Sequence, residues 1–475
     1  MSSGHVRSIL DRKQVAIEGA ISAQEARLAA SLSAPLRLVM AHLGAPPGTT
    51  EGELVLNQLT MARTARSAAL ASAIAVTATL ALPSPANADL GPDTTFSGDG
   101  FDVQNFTTTD QGTAIAVGAD RIYVGSETGT ETSYLLAYTT SGELDGTFGG
   151  GDGIVPLPLG TIGDIEALDS GKVIVVGSRA TMPPGRALRL TTSGGMDANF
   201  SGNGILSLGI DVAGSAIDSQ GRLVVGGTLV REQAPGYRKS DFGVARIRTN
   251  GVLDANFSGD GVASVSNNLV DDVYGVGVDS NNRPLLSGTT ADDVFDLSTQ
   301  ALVTRFTAGG QPDGNFSGNG KATTTLGMGN NASYAVGSDA NNRVIVALTN
   351  AASWGSARFT QAGQLDNNYS GDGRAKSALD GASIYGASVL GGAVRQVGAG
   401  GAGFNEVFLG AIKANGTLDT NVGASGSATY DLTPTADDYG NAVTLDTGGR
   451  VLVAGYNNAG SDLNTLTARL TTLAP

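Results

Sequence analysis

The sequence predicts an all-β fold, a seven-bladed β-propeller of four-stranded blades. Two observations predict it: a motif that recurs every 52 to 59 residues, and four short β-rich runs in each repeat. A regular period of this size is typical of solenoids, propellers and other arrays. Four strands per repeat is the content of one propeller blade. A β-solenoid is the alternative architecture that such a repeat leaves open.

The motif is Asp-x-x-aromatic followed by a glycine-rich turn, as in Leu253–Gly261. We expect it to join the third strand of a repeat to the fourth. The Asp can accept a backbone hydrogen bond two residues on, the ring can pack on a neighbouring blade, and the glycines suit positive φ angles. The aromatic position is occupied by Phe96, Phe148, Phe200, Phe257, Phe316, Tyr369 and, without a ring, Val422.

An arginine stands eight residues before the motif Asp in most repeats, as Arg246 stands before Asp254. Alanine replaces it at Ala137 and Ala411, so the Asp has a use that does not need this arginine. An exposed pair of this kind would contribute at most about 1 kcal/mol.

The two ends of the repeat region complement each other. Arg469 predicts a motif Asp eight residues later, but the sequence stops at Pro475, and the additional copy stands at Asp93–Phe96. We therefore expect the N-terminal strand to pair with the C-terminal blade, which would leave no open sheet edge between the termini.

The pattern Gly-x-Leu-Asp-x-x-Phe, with Asp-x-x-Gly-Arg-apolar-apolar-Val-x-Gly downstream, resembles the delta-60-type repeat family of secreted bacterial β-propeller proteins. The resemblance covers Asp89 to the C-terminus. It implies a propeller fold and export, and it implies no single activity. Two repeats depart from the pattern, at Val422–Gly426 and at Ser388–Ala393.

The N-terminal segment predicts export. Arg63 and Arg66 precede an apolar stretch from Ala68 to Leu82, and Ala86-Asn87-Ala88 is an A-x-A cleavage site, so residues 61–88 are a predicted signal peptide. We predict that residues 1–60 are weakly helical or disordered. We interpret them as an over-extension of the reading frame, with the true start at Met61. A cytoplasmic segment with an uncleaved anchor is the alternative. Residues 89–475 form the predicted propeller.

Composition excludes several chemistries. The chain has no Cys, and both His residues, His5 and His42, precede the signal peptide. Histidine-based triads, Cys nucleophiles and zinc sites built on imidazole or thiolate are therefore excluded from the predicted mature chain. The net charge of −15 argues against nucleic acid and anionic lipid as partners. We expect an exported protein with no stable membrane anchor after signal cleavage.

An acidic residue precedes the predicted innermost strand of most repeats. If these residues meet at the mouth of a central channel, their repulsion would favour a bound cation, and Ca²⁺ takes oxygen ligands of this kind. Solvated turn residues are the alternative. The candidate cation-binding set is Asp110, Asp164, Asp211, Asp272, Asp380 and Asp438, and no metal ligand is certain among them.

A second candidate is a ligand face on the same side. The two longest repeats owe their length to loops between the second and third strands, at Val230–Asp241 and Thr290–Gln300. Binding residues concentrate on loops held by a rigid scaffold, although free drift of loop length is the alternative. The candidate ligand-face residues are Arg231, Tyr237, Arg238, Asp271, Tyr274, Asp292 and Asp293, and Tyr334, Tyr385 and Tyr439 fall near the same strand starts.

These observations favour an exported β-propeller that acts as a binding or structural module. Its partner is an extracellular protein, a glycan or a small molecule. The alternative is a Ca²⁺-dependent hydrolase or lyase acting on an extracellular small molecule or glycan. An enzyme is disfavoured because propeller architecture alone confers no activity. No catalytic residue stands out, and the sequence specifies neither the ligand nor the oligomeric state.

Overall fold

The structure is a computed structural model that describes residues 90–179, 185–234, 237–267, 270–291, 299–401 and 405–472. These described residues form a propeller-like all-β structure of 28 strands without a helix. The predicted segments 1–60 and 61–88 lie outside the described residues.

The strands are short, and they match the β-rich runs between glycine-rich turns. The first nine are β1 (Phe101–Gln104), β2 (Gln111–Val117), β3 (Arg121–Glu127), β4 (Ser133–Thr139), β5 (Ile154–Leu157), β6 (Thr161–Ala167), β7 (Val173–Ser178), β8 (Gly185–Leu190) and β9 (Ile205–Leu208). The next eight are β10 (Asp211–Ile217), β11 (Leu223–Ala234), β12 (Tyr237–Ile247), β13 (Val262–Val265), β14 (Val270–Val278), β15 (Pro284–Ala291), β16 (Gln300–Arg305) and β17 (Lys321–Thr324).

The remaining strands repeat the same order. They are β18 (Ala332–Ser338), β19 (Val344–Thr349), β20 (Ser353–Phe359), β21 (Arg374–Ala378), β22 (Ser383–Leu390), β23 (Ala393–Gly400), β24 (Glu406–Ile412), β25 (Ser427–Tyr430), β26 (Asp437–Leu445), β27 (Arg450–Ala459) and β28 (Asp462–Thr472).

The strands assemble into antiparallel four-stranded sets. Sets β2–β5, β6–β9, β18–β21 and β22–β25 are separate sheets with strands in chain order. Sets β10–β13 and β14–β17 are joined into one eight-stranded sheet by a single parallel bridge between Ser240 and Val270. The last sheet has the order β1-β28-β27-β26, so the first described strand pairs with the last one.

The first strand of each set contacts the first strand of the next set, and β26 in turn contacts β2. Apolar side chains fill the space between adjacent sets. Tyr123 and Leu135 of one set, for example, belong to the same buried cluster as Ile162 and Val175 of the next. The middle strands have both faces covered, which is why β7 is buried at every position and why its sequence is a continuous apolar run.

The repeated motif lies between the third and fourth strands, as predicted, and it joins neighbouring sets. Nε of Arg246 donates a hydrogen bond to Oδ2 of Asp254 over 2.9 Å, and its guanidinium lies 4.6 Å from the centre of the Phe257 ring. Nη1 of the same arginine donates to the carbonyl oxygen of Ala308 in the next set. We call this arrangement the Arg–Asp–aromatic cluster. It recurs at Arg189–Asp197–Phe200, Arg305–Asp313–Phe316, Arg358–Asp366–Tyr369 and Arg469–Asp93–Phe96.

The expectation of an exposed, weak pair is wrong. The side chains of Arg246 and Asp254 are each only 3% exposed, because the aromatic ring and the neighbouring set cover them. Where Ala137 replaces the arginine, Arg121 at the start of β3 takes its place and donates to Asp145 over 2.5 Å. Where Ala411 replaces it, the nearest cation is Nζ of Lys413, 3.6 Å from Asp419, and the aromatic residue is absent as well.

Candidate functional site

One cavity is lined by the first strand of every set. Its volume is about 860 Å³, and β2, β6, β10, β14, β18, β22 and β26 all contribute to its wall. Four carboxylic residues line it, namely Asp164, Glu166, Asp211 and Asp272. No Lys or Arg is among the described residues of the wall.

A β-bulge directs one residue of each first strand into this cavity. In β14, for example, Val273 and Gly275 pair with consecutive residues of β15, and Tyr274 between them has no partner in the register. Bulges commonly re-aim a side chain beside a functional site. The seven bulge residues all line the cavity, and they are Thr113, Gly163, Ala213, Tyr274, Tyr334, Tyr385 and Asn441.

Three consecutive sets carry tyrosine at the bulge. The rings of Tyr274 and Tyr334 stack with centres 5.5 Å apart. Burial, and next the neighbouring Tyr274 and Tyr385, raise the pKa of Tyr334. Tyr385 lies 6.3 Å from Tyr439, which stacks on Tyr456 at 4.4 Å. We call these five residues the tyrosine arc. Tyr274 and Tyr385 are 42% and 44% exposed, so ring surface is available to a bound molecule.

The other four sets have no tyrosine at the bulge. On one of their strands, β6, two residues that follow the bulge are acidic where the other sets have small residues. The position after the bulge is Ala or Gly in six sets, but it is Asp164 on β6. The position three residues after the bulge is Ala, Gly, Ser or Thr in six sets, but it is Glu166 on β6. Both departures from the repeat therefore occur on a single strand, and we call these two residues the carboxyl pair.

A serine on the neighbouring strand connects the carboxyl pair. The hydroxyl of Ser215 on β10 donates to Oε1 of Glu166 over 3.0 Å, and the backbone N–H of Ser215 donates to Oδ2 of Asp164 over 3.1 Å. Gly214, next to this serine, has no side chain, and a Cβ there would lie 3.8 Å from Oδ2 of Asp164. The described residues include no ion pair to either carboxyl.

Burial perturbs both carboxyl groups. It raises the pKa of Asp164 to about 6, against hydrogen bonds from Ile165 and Ser215 that favour the charged form. Burial, and next the negative charge of Asp164, raise the pKa of Glu166 to about 8. Two adjacent carboxyl groups with separated pKa values tend to share one proton, so near neutral pH the pair holds Glu166 protonated beside a largely ionised Asp164.

Asp110 and Asp438 do not line the cavity, because each caps the loop before its own strand. Asp110 is fully buried and accepts hydrogen bonds from the backbone of Phe106 and Thr107. Asp438 is buried in the same way and accepts from the backbone of Leu432 and Thr433. Asp271, a predicted ligand-face residue, has the same capping role through the backbone N–H of Asn267.

The remaining members of the candidate cation set are dispersed. Asp164, Asp211 and Asp272 line the cavity, whereas Asp380 is exposed in a turn with a φ of 47°. Within the described ranges, no three or more acidic or other metal-ligating side chains are grouped closely enough to hold a metal ion. The geometry therefore does not bring the six predicted carboxylates together, and calcium binding stays a prediction.

The predicted loop at Val230–Asp241 is largely an extended hairpin. β11 continues to Ala234 and β12 begins at Tyr237, and the two strands are paired as far as these two residues. Arg231 forms an ion pair with Asp241 over 2.6 Å. The side chains of Tyr237 and Arg238, together with Asp292 and Asp293, lie outside what the structure describes. Of the predicted ligand face, Tyr274 lies in the cavity wall.

Sequence reasoning missed Glu166 and the bulges. A signal for Glu166 exists: when the innermost strands are aligned, it is the one charged residue at its position in the seven sets. The bulges carry no comparable signal, since their residues range from Gly163 to Tyr385.

No protein-family model and no curated protein matches this chain. Solved structures with a similar backbone include a puromycin hydrolase, at 12% identity and a TM-score of 0.38, which covers 73% of this chain and 58% of the hydrolase. A glucose dehydrogenase has 9% identity and a TM-score of 0.37, covering 78% of this chain and 99% of that one. The calcium-binding protein regucalcin from Agrobacterium tumefaciens has 8% identity and a TM-score of 0.35, and the match covers 63% of this chain and 86% of regucalcin. Similarities this distant carry no argument about function.

Proposed function

We propose that this protein is an exported, seven-bladed β-propeller that acts as a binding module, with its ligand site in the central cavity. Seven four-stranded sets, the contacts between successive first strands and the contact of β26 with β2 support a closed ring. The pairing of β1 with β28 supports closure through the N-terminal strand. A closed ring protects its sheet edges from pairing with other chains.

The observation that carries the binding proposal is the asymmetry of the seven bulge residues. A purely structural ring would need only small or apolar residues there, yet three adjacent sets carry tyrosine and the opposite side carries the carboxyl pair. A cavity with a few convergent polar groups and perturbed carboxyl groups is the usual form of a ligand site.

Blocking the cavity tests this proposal. Ala213→Phe would put an aromatic ring on the open side, and Val252→Phe, at a residue that is 49% exposed and outside the cavity, is the matched control. A thermal-shift screen of small polar and charged compounds should find compounds that raise the unfolding midpoint of the wild type and of the control only. If no compound raises it, or if the blocked variant responds equally, the cavity is not a binding site.

Export rests on the predicted signal peptide at residues 61–88. Among the described residues, no helix long and apolar enough to cross a bilayer is found. Expression of the full sequence in a bacterial host, followed by N-terminal mass spectrometry of the medium and periplasm, should give a protein that starts at Asp89. A product that stays in the cytoplasm with residues 61–88 intact would reject export.

A hydrolase or lyase is the second candidate, because the carboxyl pair places a protonated and an ionised group side by side, as acid–base catalysis requires. A separate experiment tests whether the protein binds Ca²⁺, on which this activity would depend. If Ca²⁺ binds only the folded protein, 100 times its Kd should add about 2.7 kcal/mol to the unfolding free energy. An unchanged midpoint in chelator and in millimolar Ca²⁺, for wild type and Asp272→Asn alike, would exclude the calcium site.

A further inference from the structure

We infer that the ligand of the central cavity is a small organic cation, an ammonium ion bound between the carboxyl pair and the three residues of the tyrosine arc that line the cavity, Tyr274, Tyr334 and Tyr385. This inference rests on the proposed binding function and specifies the chemical class of its ligand. It follows from the charges, the rings and the size of one cavity.

The carboxyl pair lacks the counter-charge that the motif carboxylates of this protein have. Most motif Asp side chains are paired with an arginine or lysine, as Asp254 is with Arg246 and Asp197 is with Lys172. The carboxyl pair differs, because in the described part of the chain neither Asp164 nor Glu166 forms an ion pair and the cavity wall contains no Lys or Arg. Both side chains are only partly exposed, and a carboxylate that is incompletely hydrated and has no cation beside it is costly, so the site favours a positively charged ligand.

The cavity suits an organic cation better than a metal ion. Ca²⁺ needs six to eight oxygen ligands, whereas the described residues supply no group of even three side chains for a metal. The face of a tyrosine ring attracts an alkylammonium ion, and Tyr274 and Tyr385 both expose ring surface. The volume of about 860 Å³ also exceeds what a single metal ion would fill.

The protein already binds a cation between a carboxylate and an aromatic ring elsewhere in its fold. Its Arg–Asp–aromatic clusters combine a carboxylate, an aromatic ring and a cation, with guanidinium carbons 4.6 to 5.0 Å from the ring centres. The cavity presents a carboxylate and aromatic rings but lacks the cation. A ligand ammonium group would complete the same combination of charges there.

The test compares choline with 3,3-dimethyl-1-butanol, an uncharged molecule of nearly the same shape. We expect calorimetric titration of the purified protein to show binding of choline and at least about tenfold weaker binding of the alcohol, a difference of about 1.4 kcal/mol. n-Butylamine serves as a primary ammonium probe, because quaternary and primary ammonium ions differ in their ability to donate hydrogen bonds. Equal binding of choline and the alcohol would overturn the inference.

Five variants locate the cation. Glu166→Gln replaces a carboxyl group that is protonated near neutral pH with a neutral amide and should have the smaller effect on binding. Asp164→Asn removes the ionised carboxylate and should weaken the binding of whichever probe binds by at least about tenfold. Glu143→Gln, at an exposed glutamate outside the cavity, makes the same change in net charge and should leave affinity unchanged. Tyr385→Leu should weaken binding, whereas Tyr385→Phe keeps the ring and should retain it. Unaltered affinity in Asp164→Asn would overturn the inference.

The results also separate this inference from the broader proposal. If neutral compounds bind and Ala213→Phe blocks them while neither ammonium probe binds, the cavity is a binding site and the ligand class is wrong. If neither charged nor neutral compounds bind, both the inference and the binding function fail.

Discussion

Arg469 and Asp93 form an ion pair between positions 376 residues apart in the chain, with Nε of the arginine 2.8 Å from Oδ2 of the aspartate. The arginine side chain is 1% exposed and that of the aspartate is 10% exposed. Within other repeats, the equivalent pair spans only eight residues. The same buried contact that organises a single repeat therefore also joins the two ends of the described chain.

Replacing Asp93 with Asn should destabilise the whole fold. It leaves Arg469 buried without its counter-charge, which typically costs about 3 kcal/mol or more. Urea unfolding followed by far-UV circular dichroism would measure the change. Asp99→Asn, at an exposed aspartate in the same turn, is the control and should change the free energy of unfolding by less than about 0.5 kcal/mol. Equal effects of the two substitutions would contradict the structural importance of the terminal ion pair.

The repeats should differ in how much their motif Asp contributes. Asp254→Asn removes the charge beside the buried Arg246 and should cost about 3 kcal/mol. Among the described residues, the cation within 4 Å of Asp419 is Lys413 at 3.6 Å, with a side chain that is 47% exposed, and the buried Arg395 interacts with Asp419 from farther away. Asp419→Asn should therefore cost less than Asp254→Asn, about 1 to 2 kcal/mol. Asn can still accept the backbone hydrogen bond in both turns, so the difference isolates the charge. Similar losses in urea unfolding would show that the turn, and not the ion pair, matters.

The sequence predicted the strands and the place of the motif well, because β-branched runs and glycine turns act locally. It predicted poorly which side chains from different strands and sets are in contact. The spacing of Arg246 and Asp254 indicated a pair, but its burial depends on the Phe257 ring and on Ala308 of the next set. Likewise, Arg121 pairs with Asp145 from the start of the second strand, where Lys172 and Arg222 of other repeats also reach the motif Asp. The pattern contained this second basic residue, but its distance along the chain from the motif Asp varies between repeats and did not reveal the contact.

A matched pair of glycines tests the contact between adjacent sets. Gly310 has a φ of 90°, and a Cβ there would lie 2.8 Å from the backbone nitrogen of Ser258 in the preceding set and 3.0 Å from the Phe257 ring. Gly259 has a similar φ of 95°, but a Cβ there would meet nothing within 4 Å. Both Gly→Ala substitutions carry backbone strain of about 1 kcal/mol, and Gly310→Ala should lose about 1 to 3 kcal/mol more from overpacking.

Thermal and urea unfolding of the two alanine variants would decide this prediction. A loss at Gly310→Ala no greater than that at Gly259→Ala would mean that the interface between sets relaxes easily, and that the motif turn does not hold adjacent sets in a fixed position.

The candidate site was less predictable than the fold. Six acidic residues near the strand starts looked equivalent, yet Asp110 and Asp438 cap loops while Asp164 lines the cavity. The difference follows the position relative to the bulge. The capping residues stand three residues before the bulge of their strands, whereas Asp164 stands one residue after the bulge at Gly163. Asp211 and Asp272, which also line the cavity, stand two residues before theirs. A bulge shifts the alternation of side chains by one residue, so a one-residue uncertainty in its position changes which acids face the cavity.

Glu166→Gln should stabilise the protein at high pH. The pKa of Glu166 is raised from its ordinary value of 4.5 to about 8 in the folded state, so the folded state binds more protons than the unfolded state between these values. The free energy of unfolding therefore falls as pH rises through this window. A glutamine does not titrate, so the variant does not lose stability in this way. We expect a higher unfolding midpoint than the wild type at pH 9, with little difference at pH 4. Glu127, whose pKa burial also raises, remains in both proteins and cancels in the comparison. Asp164 does not cancel, because the substitution also removes the repulsion between its carboxylate and that of Glu166, which stabilises the variant further at high pH. If the variant is less stable at pH 9 by the same margin as at pH 4, Glu166 is not held protonated by the fold.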